Sequence, residues 1–427
     1  MKIAKQIFSL SLGLTLSLAM VSCQSDTEEA SSTQGTKTVT VLGVVVGEQQ
    51  DKLEAALAPF EEKTGIEVIY EGTDAFATLL PVRVESGDAP DVAMFPQPGL
   101  MRDFAQSGQL VPIDFIESGQ LQAAYNRDWL DLGTVDGEIY GIWYRASVKS
   151  LVWYNPQVFT ERGYEVPQTW SEMIALSDRI VADGDTPWCL GMESGDATGW
   201  VGTDWVEDIM LRTAGAEVYD RWVAHEIPFN APPVKEAFDH FGEIVLDPNY
   251  IQGGIVSAIS TPFGDSPRGL VQDPPQCYLH RQANFIASFF PEEAVLGENV
   301  AVFAFPPIEE EFGTPVLVAG DVFAMFNDTP EARALMEYLA TPEPHEIWAK
   351  LGGFISPHQQ VSLDVYPDPV AQKQATILAD AEVIRFDGSD LMPSSVGTGT
   401  FWTGIVDYVS GEDAEEVLTD IEKSWTP

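Results

Sequence analysis

Apolar positions along this chain repeat with two periods. Residues 38–46 form a β-branched, apolar run that predicts a buried strand, and Gly47-Glu48-Gln49-Gln50 breaks it. Leu53, Ala56, Leu57 and Phe60 then fall at i, i+3, i+4 and i+7, one face of a helix that Gly65 ends. Residues 66–70 return to a strand, so the start reads as a βαβ unit with parallel strands and a right-handed crossover. Residues 91–95 predict a further short strand, cut by Pro96 and Pro98. Thr169 and Glu172 are spaced as a capping box for a helix to about residue 182. Val234, Ala237, Phe238, Phe241 and Val245 make another helical face after Pro232-Pro233. Thr329-Pro330 and Thr341-Pro342 each set a cap residue before a first-turn proline. The last two helices are expected over residues 371–381 and 414–423.

The first residues follow a different pattern. Lys2 and Lys5 precede a largely apolar stretch of 14 residues at 7–20, too short to span a bilayer comfortably, which ends at Met20-Val21-Ser22-Cys23. A small residue before a cysteine at the end of such a stretch is similar to a bacterial lipobox: cleavage removes residues 1–22 and Cys23 is acylated. Residues 23–37 are rich in Ser, Thr, Glu and Gln, as a flexible tether requires. No later stretch approaches 18 consecutive apolar residues, so no second span is expected.

Charge narrows the functional classes. The 427 residues carry 66 Asp+Glu against 22 Lys+Arg, a formal net charge of -44, while 45% hydrophobic residues supply a full core. A threefold excess of acids without a basic run is incompatible with a nucleic-acid partner. It also excludes a basic patch for anionic membranes. A solvated, soluble surface explains the acidity; a saline habitat is a second reading of it.

Catalytic and metal signatures are missing. The five histidines form no H-E-x-x-H helix, Gly191-Met192-Glu193-Ser194-Gly195 has the wrong spacing for a nucleophile elbow, and no phosphate-cradling loop is present. Neither a cofactor nor a metal is expected. With Cys23 assigned to lipid, Cys189 and Cys277 remain; an oxidising compartment favours a disulfide between them, the alternative being two buried free thiols. Aromatic residues do recur among glycines and polar groups, in residues 140–145, 191–205 and 389–402. Sugars present apolar C–H faces for rings to stack on and hydroxyls for carboxylates and guanidinium groups to bind. Trp143 and Trp200, flanked by such residues, suit a cleft; Trp153 and Trp170, inside strand and helix patterns, suit the core.

Tyr140-Gly141-Ile142-Trp143-Tyr144, then Leu151-Val152-Trp153-Tyr154-Asn155-Pro156, then Pro167-Gln168-Thr169-Trp170-Ser171-Glu172 resemble, in order and spacing, the central signature of extracellular solute-binding proteins of ABC sugar importers. Residues 188–195, 203–207 and 277–283 look like the branch binding α-glucosides and sugar osmolytes such as sucrose, trehalose or glucosylglycerol. The resemblance implies an α/β, two-lobed periplasmic-binding-protein fold, type II-like, each lobe a mixed sheet flanked by helices, with the ligand cleft at the hinge. One lobe would comprise residues 38–146 plus 307–352 and the other 147–302 plus 353–427, with crossings near 145–147, 303–307 and 352–357. Ligands of such sheets bind beyond the carboxyl ends of strands. The implied acceptors for hydroxyls are Glu48, Asp74, Asp321, Glu193, Asp196 and Asp204; Trp143 and Trp200 would stack, and Arg281 would donate. Phe354, Asp390 and Trp402 complete the candidate set. The implied partners are a carbohydrate, the ABC permease subunits with their cytoplasmic ATPase, and the membrane through the lipid anchor. The chain would be exported, monomeric and not an enzyme. The alternatives are a polyamine or iron in the same fold, or a secreted glycoside hydrolase.

Overall fold

The computed structural model describes residues 37–425. The expected signal peptide, Cys23 and nearly all of the expected tether lie outside them. The strands are β1 (Lys37–Gly43), β2 (Ile66–Gly72), β3 (Val92–Phe95), β4 (Thr134–Val135), β5 (Glu138–Ile139) and β6 (Gly141–Val148). β7 (Leu151–Tyr154), β8 (Leu279–Arg281), β9 (Ala301–Ala304), β10 (Val316–Met325) and β11 (Ile384–Phe386) complete the set.

The larger sheet has six strands. β1 lies between β2 and β3, parallel to both, as the βαβ reading requires. β10 is antiparallel to β3 and to β6 and parallel to β11. Val318 pairs with Val148 on one edge of β10 and with Phe386 on the other. A second sheet, β8-β7-β9, is antiparallel throughout, and β4-β5 is a separate two-stranded hairpin. The chain passes from the larger to the smaller sheet through Lys149 and Ser150, the two residues between β6 and β7.

Local sequence accounts for these elements. Leu53, Ala56, Leu57 and Phe60 are the buried face of the helix Glu48–Thr64, and Gly65 closes it in the left-handed region at φ 69°. Thr169 accepts from the Glu172 N–H at 3.2 Å, and Glu172 Oε2 accepts from the Gln168 N–H at 2.7 Å, a reciprocal cap. Thr329 caps the helix Pro330–Leu339 through the Ala332 N–H. Thr341 does not cap the helix after it: its hydroxyl donates to the Tyr338 carbonyl.

Two hydrophobic cores result. The first gathers β1, β3, β6 and the helices on them, with Phe60, Trp143, Tyr144 and Trp348 at its centre. The second is built from the helices Trp200–Thr213, Pro232–Val245, Trp402–Val409 and Ala414–Ser424 around Trp205, Trp222, Phe241 and Phe401. β7 serves both by its period of two: Leu151 and Trp153 join the first core, Val152 the second. Sequence reasoning places a return to the second lobe near residues 352–357. Phe354, Ile355 and Phe386 still belong to the first core, and Met392 and Val396 to the second. Cys189 and Cys277 are bonded to each other with Cα atoms 5.4 Å apart, both buried.

Candidate functional site

β1, β2 and β3 run parallel, so their carboxyl ends open on one side of the sheet. Val44 and Gln49 follow β1, Asp74 follows β2, and Pro96 and Gln97 follow β3. All line a cavity of about 440 Å³. The middle of β6 and β10 forms its floor through Arg145, Ser147, Ala319, Gly320 and Asp321, together with Lys149. Glu193, Ser194, Gly195, Ala197, Trp200, Phe263, Phe285, Phe289, Asp387, Ser389, Asp390 and Trp402 close it from the other side. Residues of both cores therefore face one space.

The far wall is aromatic. The Trp200 ring meets Phe263 edge-on at 5.2 Å between centroids and lies 6.0 Å from Phe285. Two glycines permit this shape. Gly199 has φ +116°, and a Cβ there would sit 2.2 Å from the Trp402 carbonyl oxygen. A Cβ on Gly320 would meet the Arg145 carbonyl oxygen at 2.4 Å, with the Trp143 ring behind it at 3.2 Å.

The floor is a network of paired charges. Arg145 donates through Nε to Asp321 and through Nη1 to Gln49 Oε1 at 2.7 Å. Lys149 Nζ donates to Asp204 Oδ1 at 2.7 Å and to Asp387, and stands 5.5 Å from the Trp200 ring centroid. Behind Lys149, Asp204, Asp208 and Arg212 succeed one another at i, i+4 and i+8 on the helix Trp200–Thr213. Arg281 Nη2 donates to Asp208 Oδ2 at 2.9 Å, and the Ser150 hydroxyl donates to Asp208 Oδ1 at 2.7 Å. Glu207 accepts from the Gly388 and Ser389 N–H groups at 2.8 and 3.0 Å, which fixes the segment carrying Asp387 and Asp390.

Burial sets the protonation balance here. Desolvation raises the Asp204 carboxyl to about 7 against the pull of Lys149, with Asp387 adding to the rise. Burial opposes ionisation of Asp387 too, but Lys149 and the Ser389 hydroxyl hold it down at about 2. Lys149 is itself desolvated, yet Asp204 and Asp387 raise it and keep it charged. Desolvation, then Asp387, pushes Asp390 well above the usual carboxylate range. Two buried polar atoms of the lining have no partner among the described residues: Gln97 Oε1 and Trp402 Nε1. Buried polar groups left in this state are suited to a ligand's hydrogen bonds.

Of the residues named from the sequence, Asp74, Glu193, Trp200, Asp321, Asp390 and Trp402 line the cavity. The other six do not. Glu48 is exposed on the first helical turn and pairs with Lys52 at 2.8 Å. Asp196 is exposed and accepts from the Thr78 hydroxyl at 3.1 Å. Trp143 is in the core, 1% exposed, against Trp129 and Phe386. Phe354 is buried on Trp348 at 5.0 Å. Asp204 and Arg281 are buried behind Lys149. Sequence reasoning missed Lys149, Arg145, Asp387, Gln97 and the phenylalanines. Lys149 left one signal: a rare cation in a very acidic chain, set between two apolar strands.

Comparison with known proteins places this geometry. The model of the bacterial extracellular solute-binding protein family matches residues 47–346. The chain is 62% identical over 409 residues to the osmoprotective compounds-binding protein GgtB of Synechocystis sp., covering 96% of each chain. It is 44% identical over 398 residues to the alpha-glucosides-binding periplasmic protein AglE of Rhizobium meliloti, covering 91% of this chain and 87% of the other. Among solved structures, the solute receptor AcbH, described as preferring β-D-galactopyranose, superposes with a TM-score of 0.80 at 20% identity, over 91% of this chain and 97% of that one. At that identity the likeness speaks for the fold, a two-lobed α/β binding-protein fold.

Proposed function

The chain belongs to the bacterial extracellular solute-binding proteins, substrate-binding components of ABC importers rather than enzymes, and from that premise we propose that its cavity captures a neutral α-glucoside or sugar osmolyte and presents it to a permease. The observation that carries this reading is the pairing of an aromatic wall, Trp200 with Phe263 and Phe285, with a floor of paired charges and two unpartnered polar atoms. A sugar ring has an apolar face for Trp200 and hydroxyls for the opposite side, Asp321 and Asp390 included. A cavity of about 440 Å³ suits one or two sugar rings in size. The relatives named for osmoprotective compounds and for alpha-glucosides support the same class.

The ligand contacts in this reading come from Asp74, Glu193, Trp200, Asp321, Asp390 and Trp402, joined by Gln97. Trp143, Asp204, Arg281 and Phe354 act beneath them by fixing Gly320, Lys149 and the packing of the floor. Lobe closure over the ligand signals loading to the permease. Export as a monomeric lipoprotein acylated on Cys23, with residues 23–37 as the lipidated tether, completes the proposal, and the Cys189–Cys277 disulfide suits that compartment.

Thermal denaturation of the full chain in detergent tests it. The panel is sucrose, trehalose, maltose, glucosylglycerol, glucose, spermidine and Fe(III). A ligand at a hundredfold excess over Kd stabilises by about 2.7 kcal/mol, a shift of a few degrees. A shift with an α-glucoside and none with glucose is expected. A shift with spermidine or iron alone would overturn the carbohydrate reading and leave the family unchanged.

A further inference from the structure

The cavity lies between the two cores, and a side-chain hydrogen bond crosses from one to the other at its edge. The helix Phe76–Glu85 belongs to the first core, which holds its Phe76 and Leu80. The turn over residues 193–198 belongs to the second, where Met192 before it and Val201 after it are buried. Thr78, on the first turn of that helix, donates its hydroxyl to Asp196 Oδ2 at 3.1 Å. Neither residue lines the cavity, but their neighbours do: Asp74 and Ala77 on one side, Gly195 and Ala197 on the other. A Cβ on Gly195 would lie 3.8 Å from Asp74 Oδ2, so the turn is seated against the opposite rim.

Asp196 is held in place from its own side. The Gly195 N–H donates to Glu193 Oε1 at 2.9 Å, the Ser194 N–H to Thr198 Oγ1 at 3.0 Å, and the Thr198 hydroxyl to the Gly195 carbonyl at 2.7 Å. The Glu193 backbone is bonded to Thr261 and Phe263 at 3.1 and 3.0 Å. The turn therefore travels with the second lobe as one braced piece. The helix it meets has no side-chain cap and no acidic residue in its first turn. A carboxylate from the other lobe stands there on the side that the helix dipole favours. Thr78 also has an alternative acceptor, the Ala75 carbonyl at 3.0 Å. When the lobes part, its hydroxyl stays bonded to its own helix and the Asp196 carboxylate returns to water, so no polar group is left unpaired. Such a contact is made and broken reversibly.

We propose that Thr78 and Asp196 form a latch across the mouth of the cavity: neither touches the ligand, and both act as positioning residues that hold the lobes closed and slow ligand release. The latch rests on the reading, given above, that the lobes close over a captured ligand. A bond between two lobes exists only while they are together, so it adds to the closed state and not to the open one. Association begins from open lobes, and loss of the bond is therefore read in the dissociation rate.

Stopped-flow tryptophan fluorescence of the full chain in detergent tests it, with sucrose, trehalose and glucosylglycerol as probes, then spermidine and Fe(III). Thr78→Val and Asp196→Ala should each raise koff about three- to tenfold, the worth of one hydrogen bond, with kon within about twofold of the wild type. The double variant should release ligand no faster than either single variant, because both remove the same bond. Asp196→Asn keeps a carbonyl acceptor and should stay within about twofold of the wild type. Both residues are exposed, and the ligand-free melting temperature should not move. An unchanged koff in both single variants overturns the latch, and so do effects that multiply in the double variant. A ligand-free melting temperature that falls in step with binding also overturns it, since the contact would then serve the fold. Binding of spermidine or Fe(III) alone overturns the glucoside reading only, and the same rates measured with that ligand decide the latch. Binding of no probe overturns both.

Discussion

Lys149 Nζ lies 2.7 Å from Asp204 Oδ1 and also contacts Asp387, so one ammonium group joins a helix of the second core to the loop after β11. All three side chains are buried. Removing Lys149 leaves desolvated Asp387 without a cation and Asp204 with Arg281 Nη1 alone, at 3.5 Å. Lys149→Met should lower stability by about 3–5 kcal/mol, the cost of breaking a buried pair from one side. Urea unfolding followed by circular dichroism reads this as a lower midpoint. Adding Asp204→Asn and Asp387→Asn to the same chain should restore part of the loss, because the orphaned charges go with the cation. A full-strength midpoint in the single variant would show that the pair contributes nothing.

The two tryptophans that sequence reasoning assigned to stacking should separate cleanly. Trp200 borders the cavity and is half-buried, whereas Trp143 is enclosed by Trp129 and Phe386. Trp200→Ala should weaken binding of the α-glucoside by about ten- to a hundredfold, as removal of a central aromatic anchor does. Its unfolding midpoint without ligand should stay close to the wild type. Trp143→Ala should cost about 3–5 kcal/mol of stability in the absence of ligand. The opposite assignment of the two effects would refute the placement of both rings.

Cys189 and Cys277 close a loop with a sequence separation of 88. The double variant Cys189→Ser/Cys277→Ser should be less stable by about 2–4 kcal/mol, through greater freedom of its unfolded chain. The same drop should appear when the wild type is unfolded in dithiothreitol, and the reductant should then have no effect on the variant. Any effect on the variant would point to another cause.

Acid should weaken the fold through His280. Its ring is wholly buried, Nδ1 donates to the Cys189 carbonyl at 2.9 Å, and burial lowers its pKa from 6.5 to about 4. The native state holds His280 neutral where the unfolded chain would protonate it. Its contribution is therefore complete above pH 6.5 and is lost as pH falls to about 4, an amount on the order of 3 kcal/mol. His345, lowered to about 3 by burial and by His358, acts in the same direction. Asp204 acts in the opposite one: with its pKa raised to about 7, its contribution is present below 3.8 and lost as pH rises through 7. His280→Asn should flatten the decline in melting temperature between pH 6.5 and 4. An unaltered slope would rule out His280 as its source.

Much of the fold was legible because its signals are local. The helix face Leu53–Phe60, the cap at Thr169 and the βαβ start each depend on residues within one or two turns of each other. The loops at the strand ends followed from topology, so Asp74 and the Pro96-Gln97 turn fell near the cavity. Side-chain depth did not follow. Trp143 sits in β6, where every residue is buried, and the glycine and polar neighbours that suggested a cleft belong to a strand covered on both faces. Asp204 resembled a ligand carboxylate, but its partner Lys149 is 55 residues away and its competitor Asp387 farther still. Pairing across such distances leaves no periodic trace in the chain.

The antiparallel contact of β3 with β10 has a consequence for when this protein can acquire its shape. Phe95 is paired with Val322, and β10 is also the only strand among the described residues that joins β6 and β11 to the rest of the larger sheet. Until β10 has been made, β3 lacks its outer neighbour and β6 has no strand to pair with in the larger sheet, and pairing across so much intervening chain is slow. The larger sheet is thus completed only after residue 325 has been made, and β6 waits for its sheet partner through most of synthesis.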